Sequence, residues 1–96
     1  MSERIDKLRD AVQVMHHCIA EHVQSVPVRE MFGQKIAWEG VVEVFSVDEH
    51  PKAKRCYAWS FLEGKETRFV TVLEIPPVDS PRTAIKLAIA AQAQKS

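Results

Sequence analysis

The run His16-His17-Cys18-Ile19-Ala20-Glu21-His22 holds the densest set of metal-type side chains in the 96-residue chain. On a helix, Cys18 and His22 lie four apart and share a face, with Glu21 three from Cys18. Zinc takes four ligands in a structural site and three protein ligands in a catalytic one. Cys56 or His50 therefore has to complete the set from a distant part of the chain. Packing explains the same residues with no missing ligand. Cys18 serves as a small buried hydrophobe, and His22 sits at a wet helix end where a cation complements the dipole. Packing is the preferred reading. Cys18, His22 and Cys56 are kept as the weak metal candidates, and no cofactor is expected.

Other chemistry is thinner. Arg55 beside Cys56 is the kind of neighbour that lowers a thiol pKa, yet a mid-strand cysteine before Tyr57 reads as packing. Ser46, Ser60 and Ser80 lack the glycines of a nucleophile elbow, and the three glycines are too dispersed for a phosphate loop. No catalytic constellation emerges, and the sequence leans away from an enzyme. Tyr57, Trp59 and Phe61 alternate, which puts three rings in a row on one strand face. Such a row stacks bases or lines an apolar pocket; with valine partners it also builds a core. These three are the candidate ligand-binding residues. Lys52, Lys54 and Arg55 form the one basic cluster, offset by Asp48 and Glu49. With Arg82 and Lys86 they are the candidate phosphate contacts of a nucleic-acid reading.

The elements that must position these residues follow from periodicity. Ile5, Leu8, Val12, Met15 and Ile19 recur at three, four, three and four, a heptad-like stripe that predicts one helix over 2–24. Ser2 is its expected cap, and Val26-Pro27 its stop. Ser25 is expected to cap a short helical turn over 27–33. Strands are predicted over 37–47, 55–62 and 67–75. Gly64-Lys65 makes a two-residue type II′ turn, which pairs Glu63 with Glu66, Phe61 with Arg68, Trp59 with Val70 and Tyr57 with Val72. Ser80 and Pro81 open a last helix that runs to about Gln94. The expected fold is α+β in the order α-β-β-β-α, a three-stranded antiparallel meander with both helices packed on one face.

Composition narrows the function classes. Hydrophobic residues at 46% and charged residues at 27% describe a globular chain, and residues 1–96 read as a single domain. Thirteen Lys+Arg balance thirteen Asp+Glu, which excludes a strongly basic nucleic-acid or membrane-surface protein. No apolar run approaches the ~20 residues of a membrane span. The opening Met1-Ser2-Glu3-Arg4 lacks a signal-peptide core, and two cysteines are too few for a disulfide scaffold. A cytoplasmic setting is expected. Both faces of the predicted sheet carry large apolar residues, and helices on one side leave the other bare. Exposed apolar surface of that kind marks an interface, so a homodimer through the long helix or the open sheet face is expected, with the small-molecule ligand unknown.

The element order resembles the double-stranded-RNA-binding domain, also α-β-β-β-α. The resemblance rests on the loop His50-Pro51-Lys52-Ala53-Lys54-Arg55 and on Ser80-Pro81-Arg82-Thr83-Ala84 with Lys86 beyond. It implies RNA contacts from the first helix, from that loop and from the start of the last helix. Pro81 and Arg82 stand where that family has paired lysines. The stretch 50–60 and Ile75-Pro76-Pro77-Val78-Asp79-Ser80-Pro81 resemble a family of small bacterial proteins of unknown function, which implies no site residues. The function expected is a small interaction or ligand-binding module that self-associates; the alternatives are an RNA-binding domain, or a small enzyme or metal site near Cys18, His22 and Cys56.

Overall fold

The computed structural model describes residues 3–93. Its elements are α1 (Glu3–His16), β1 (Ile19–Phe32), β2 (Lys35–Asp48), β3 (Arg55–Glu63), β4 (Glu66–Leu73) and α2 (Pro81–Ala93). The four strands form one antiparallel sheet in the order β1-β2-β3-β4. The α+β arrangement of helix, meander and helix is as expected. Ser2 and Gln94, the expected cap and end of the two helices, lie outside the described residues.

The sheet has one strand more than the sequence pattern suggested, because the first helix stops early. His17 adopts a left-handed φ of 51°, and the Cys18 N–H donates to the Gln13 carbonyl at 3.4 Å. That is the bond of a Schellman stop, with His17 in the position glycine usually takes. The Gln13 side chain then accepts from the Ala20 N–H at 3.0 Å, tying the helix end to the new strand. Beyond it Val23, Val26 and Val28 are β-branched and favour a strand. Pro27 is tolerated because β1 is an edge strand. The short helical turn expected over 27–33 is therefore strand as well. Gly33, with φ 63°, opens a two-residue turn between the paired Phe32 and Lys35, the same device as Gly64-Lys65.

The second difference concerns the helices, which cover opposite faces rather than one. α1 sets Leu8 and Val12 against Phe45, Val47, Cys56 and Ala58. α2 sets Ala84 and Ile85 on the other side, against Val42, Val44, Tyr57 and Trp59. A sheet apolar on both faces needs two covers, and α1 supplies one by burying its stripe inward. Leu8 and Val12 are fully buried, so these two seam residues do not face a second helix; Leu8→Ala is expected to cost about 2–5 kcal/mol. Met15 and Ile19 stay exposed, and Ile19 belongs to β1. The β3–β4 register is the one expected, from Tyr57↔Val72 through Glu63↔Glu66. Ser80 caps α2: its hydroxyl accepts from the Thr83 N–H at 3.2 Å.

A non-glycine residue held in the left-handed region costs roughly 1–2 kcal/mol. His17→Gly is therefore expected to raise stability by about 0.5–1 kcal/mol, read as a higher urea midpoint. A drop of similar size is the result for glycine placed inside a continuous helix, and would contradict the stop at His17.

Candidate functional site

β2 and β3 share only a short ladder, from Glu43↔Ala58 to Ser46↔Arg55. Beyond Ala58 the residues Trp59 to Glu63 pair with β4 alone, and β2 from Val42 back to Lys35 pairs with β1 alone. Two hairpins thus diverge from a common junction. On the α2 side the divergence leaves a cavity of about 690 Å³, within the range of small-molecule sites.

Each wall has a local origin. Alternation along β3 points Trp59 and Phe61 to this face, and from β4 Val70, the partner of Trp59, and Val72, the partner of Tyr57, join them. Ile85, Ala88 and Ile89 of α2 face them across the space. α2 lies closest to β1 and β2, so beyond the buried Tyr57 and Trp59 the β3–β4 surface is only partly covered. Trp38 of β2 closes one side, its ring edge-on to Trp59 with centroids 5.9 Å apart and planes at 68°. Gly40 makes room for that pose: a Cβ there would lie 3.0 Å from the Trp38 ring. Both tryptophans of the chain therefore line one cavity.

Of the three aromatic candidates, Trp59 and Phe61 line the cavity. Tyr57 lies in the core below, and its hydroxyl donates to the Glu74 carboxylate. Burial, then the hydrogen bond to Glu74 and its charge, push the phenol pKa up. The sequence reading missed Trp38, Ile85, Ala88 and Ile89 as a wall. The available signal was Trp38-x-Gly40, in which a ring and a vacant position share a strand face.

The opposite face holds a second centre at the junction itself. Glu43 is 1% exposed. Its Oε2 accepts from Arg4 Nη1 at 2.6 Å, and its Oε1 accepts from His22 Nε2 at 2.8 Å and from the Ser25 hydroxyl. A carboxylate only accepts, so His22 Nε2 carries the proton. His22 and Ser25 are three apart and would face opposite sides of a regular strand. A bulge between His22 and Gln24 brings both to the same side. Burial pushes the Glu43 pKa up, but the hydrogen bonds from Ser25, Arg4 and His22 and the Arg4 charge outweigh it, and the net shift is down. Every ligand-type group here is already engaged, which makes the cluster an anchor between α1, β1 and β2.

The metal candidates share the α1 side of the sheet. Cys18 and Cys56 are free and buried, and His22 is held by Glu43. Burial raises both thiol pKa values, that of Cys56 to about 12 with the nearby Cys18 adding to it. These thiols stay protonated at neutral pH, the wrong form for a nucleophile or a metal ligand. Among the described residues no group of three or more His, Cys, Asp or Glu is arranged to hold a metal. His50 Nδ1 accepts from the Lys52 and Ala53 N–H groups and orders its own loop.

Neither a family model, nor a curated protein, nor a solved structure matches the chain.

The basic candidates fall into two groups. Lys52, Lys54 and Arg55 lie past the Asp48 end of β2, in the loop and at the start of β3. Arg82 and Lys86 lie on α2 and reach Glu30 at 3.0 and 3.7 Å, beside Trp38 in the other half of the hairpin. The structure does not gather the five into one surface, and Glu30 offsets two of them. Among the described residues no helix is long and apolar enough to cross a membrane.

Glu43 makes the junction pH-sensitive. Its folded pKa lies below the ordinary value of 4.5, so its contribution is complete above that value and is lost as pH falls through the folded pKa. Glu43→Gln is expected to lower stability at pH 7 by about 1–3 kcal/mol and to flatten the acid-side fall below pH 4.5. Urea unfolding at pH 7 and pH 3.5 measures both. An unchanged acid-side slope in the variant contradicts the assignment.

Proposed function

We propose that the protein is a binding module for a small apolar ligand, seated between α2 and the aromatic face of β3–β4. One observation carries this reading: a cavity of about 690 Å³ walled by Trp38, Trp59, Phe61 and aliphatic side chains. A half-open cleft with such a lining leaves ring and aliphatic surface in contact with water, which a bound apolar molecule covers. Ligand chemistry here is burial and ring contact, with no catalytic group of the described residues on the wall other than the Glu63 carboxylate.

Self-association is a second reading, supported by the hairpin tips. Phe32 is 82% exposed and Leu62 76% exposed, with the exposed pair Met31 and Ile36 one position in from Phe32. Light scattering at micromolar concentration separates a dimer from a strict 11 kDa species. The buried free thiols of Cys18 and Cys56 support a reducing, cytoplasmic setting.

The ligand-binding reading is tested by filling the cavity. Ala88 stands on the α2 wall and is half-buried. The neutral probe N-phenyl-1-naphthylamine is expected to bind the wild type saturably and to quench tryptophan fluorescence. Ala88→Phe is expected to weaken that binding at least tenfold with no fall in Tm, because the ring occupies existing space. Equal binding by the two proteins, or no saturable binding by the wild type, contradicts the proposal.

A further inference from the structure

The cavity is graded along β3. Trp59 is 3% exposed, Phe61 is half-buried, and the Glu63 side chain is 63% exposed. All three line the same space. Four residues of strand separate the closed end from the open one, about 13 Å at ~3.3 Å per residue. The inner part is ring and aliphatic surface, and the outer part carries a carboxylate.

Glu63 is the charged side chain among the described lining residues, and no lysine, arginine or histidine of those residues joins it. Its described partner is Arg68, at 3.9 Å, but Arg68 lies closer to Glu66, at 3.0 Å. The Glu63 carboxylate is thus only loosely engaged. Arg68 stands opposite Phe61 at this mouth, one guanidinium between the two carboxylates of Glu63 and Glu66, so an anionic head group meets a net negative charge. A cationic head meets the carboxylate and the negative faces of the aromatic rings. Its apolar tail meets Val70, Val72, Ile85 and Ile89 deeper in the same space.

Resting on the small-ligand reading above, the geometry points to a hydrophobic cation as the occupant: an ammonium-type head at Glu63 and Phe61, and an apolar or aromatic tail between α2 and Trp59. Glu63 selects the charge, and the walls supply the affinity. A carboxylate beside aromatic rings at a wet mouth gives a preference of about fivefold for the cation over a neutral analogue.

Three amphiphiles with one tail test this, each used below its micellar concentration. Decyltrimethylammonium, decyldimethylphosphine oxide and decyl sulfate compete against N-phenyl-1-naphthylamine. The expected order is cation, then neutral, then anion, with about fivefold between the first two. Glu63→Gln, an exposed change beside a turn, is expected to remove that difference while leaving the neutral amphiphile's affinity unchanged. Equal displacement by all three, or a cation preference that survives Glu63→Gln, overturns the assignment while the small-ligand reading stands. Absence of saturable probe binding by the wild type overturns both.

Discussion

The structure depends on a four-pair ladder between β2 and β3, the backbone ladder that joins its two hairpins among the described residues. On the Glu43 side the described strands pair only within their own hairpins, and on the other side the Val47 N–H donates to the Lys54 carbonyl at 2.9 Å. The ladder ends at Glu43↔Ala58, and Glu43 is the residue that Arg4, His22 and Ser25 converge on. Breaking a buried ion pair leaves a charge uncompensated, which is strongly unfavourable. The cluster therefore fixes the start of α1 and the bulge of β1 at the level where the sheet divides. A bulge also increases local twist, which turns the outer half of the first hairpin away from β3. The α1 face closes tightly over the junction, and the α2 face opens beside it.

That asymmetry makes the two faces of the sheet unlike. The α1 face has small or well-filled partners, with Leu8 and Val12 against Phe45, Cys56 and Ala58. The α2 face places its rings where the hairpins part, so Trp38 and Trp59 meet across the gap as an edge-to-face pair. Such a pair adds about 0.5–1.5 kcal/mol beyond its buried area, enough to brace a gap that backbone hydrogen bonds do not span. The strand alternation that buries Tyr57 and Trp59 also carries Phe61 and Glu63 out to the cavity mouth. One strand thus supplies core, wall and rim.

Much of the second hairpin was legible from the residues. Gly64-Lys65 fixed its turn, and the turn fixed which rings share a face. Phe32-Gly33-Gln34-Lys35 carries the same kind of signal, but a heptad-like stripe running through Ile19 obscured it. Hydrophobic spacing alone cannot locate a helix end, because Ile19 fits both a seam and a strand. The stop lies in His17, a residue whose left-handed backbone is set by the Gln13–Cys18 bond rather than by composition. Assigning 19–32 to a strand then frees α1 to cover one face and α2 the other. The cavity was half legible: Trp59 and Phe61 were visible as an aromatic row, whereas Trp38 enters through the packing of two hairpins. The Glu43 cluster was not legible, since a bulge is needed to bring His22 and Ser25 to one side.

The hairpins part over an open, apolar cavity, the proposed seat of the ligand. The chain's two tryptophans both line it, so they give two indole N–H signals in a proton–nitrogen correlation spectrum. Titration with N-phenyl-1-naphthylamine is predicted to shift both signals saturably, together with the Ile85 and Ala88 amides, while the Ala20 and Phe45 amides on the α1 face stay in place. Unmoved indole signals at saturating probe, or shifts concentrated on the α1 face, would contradict the account.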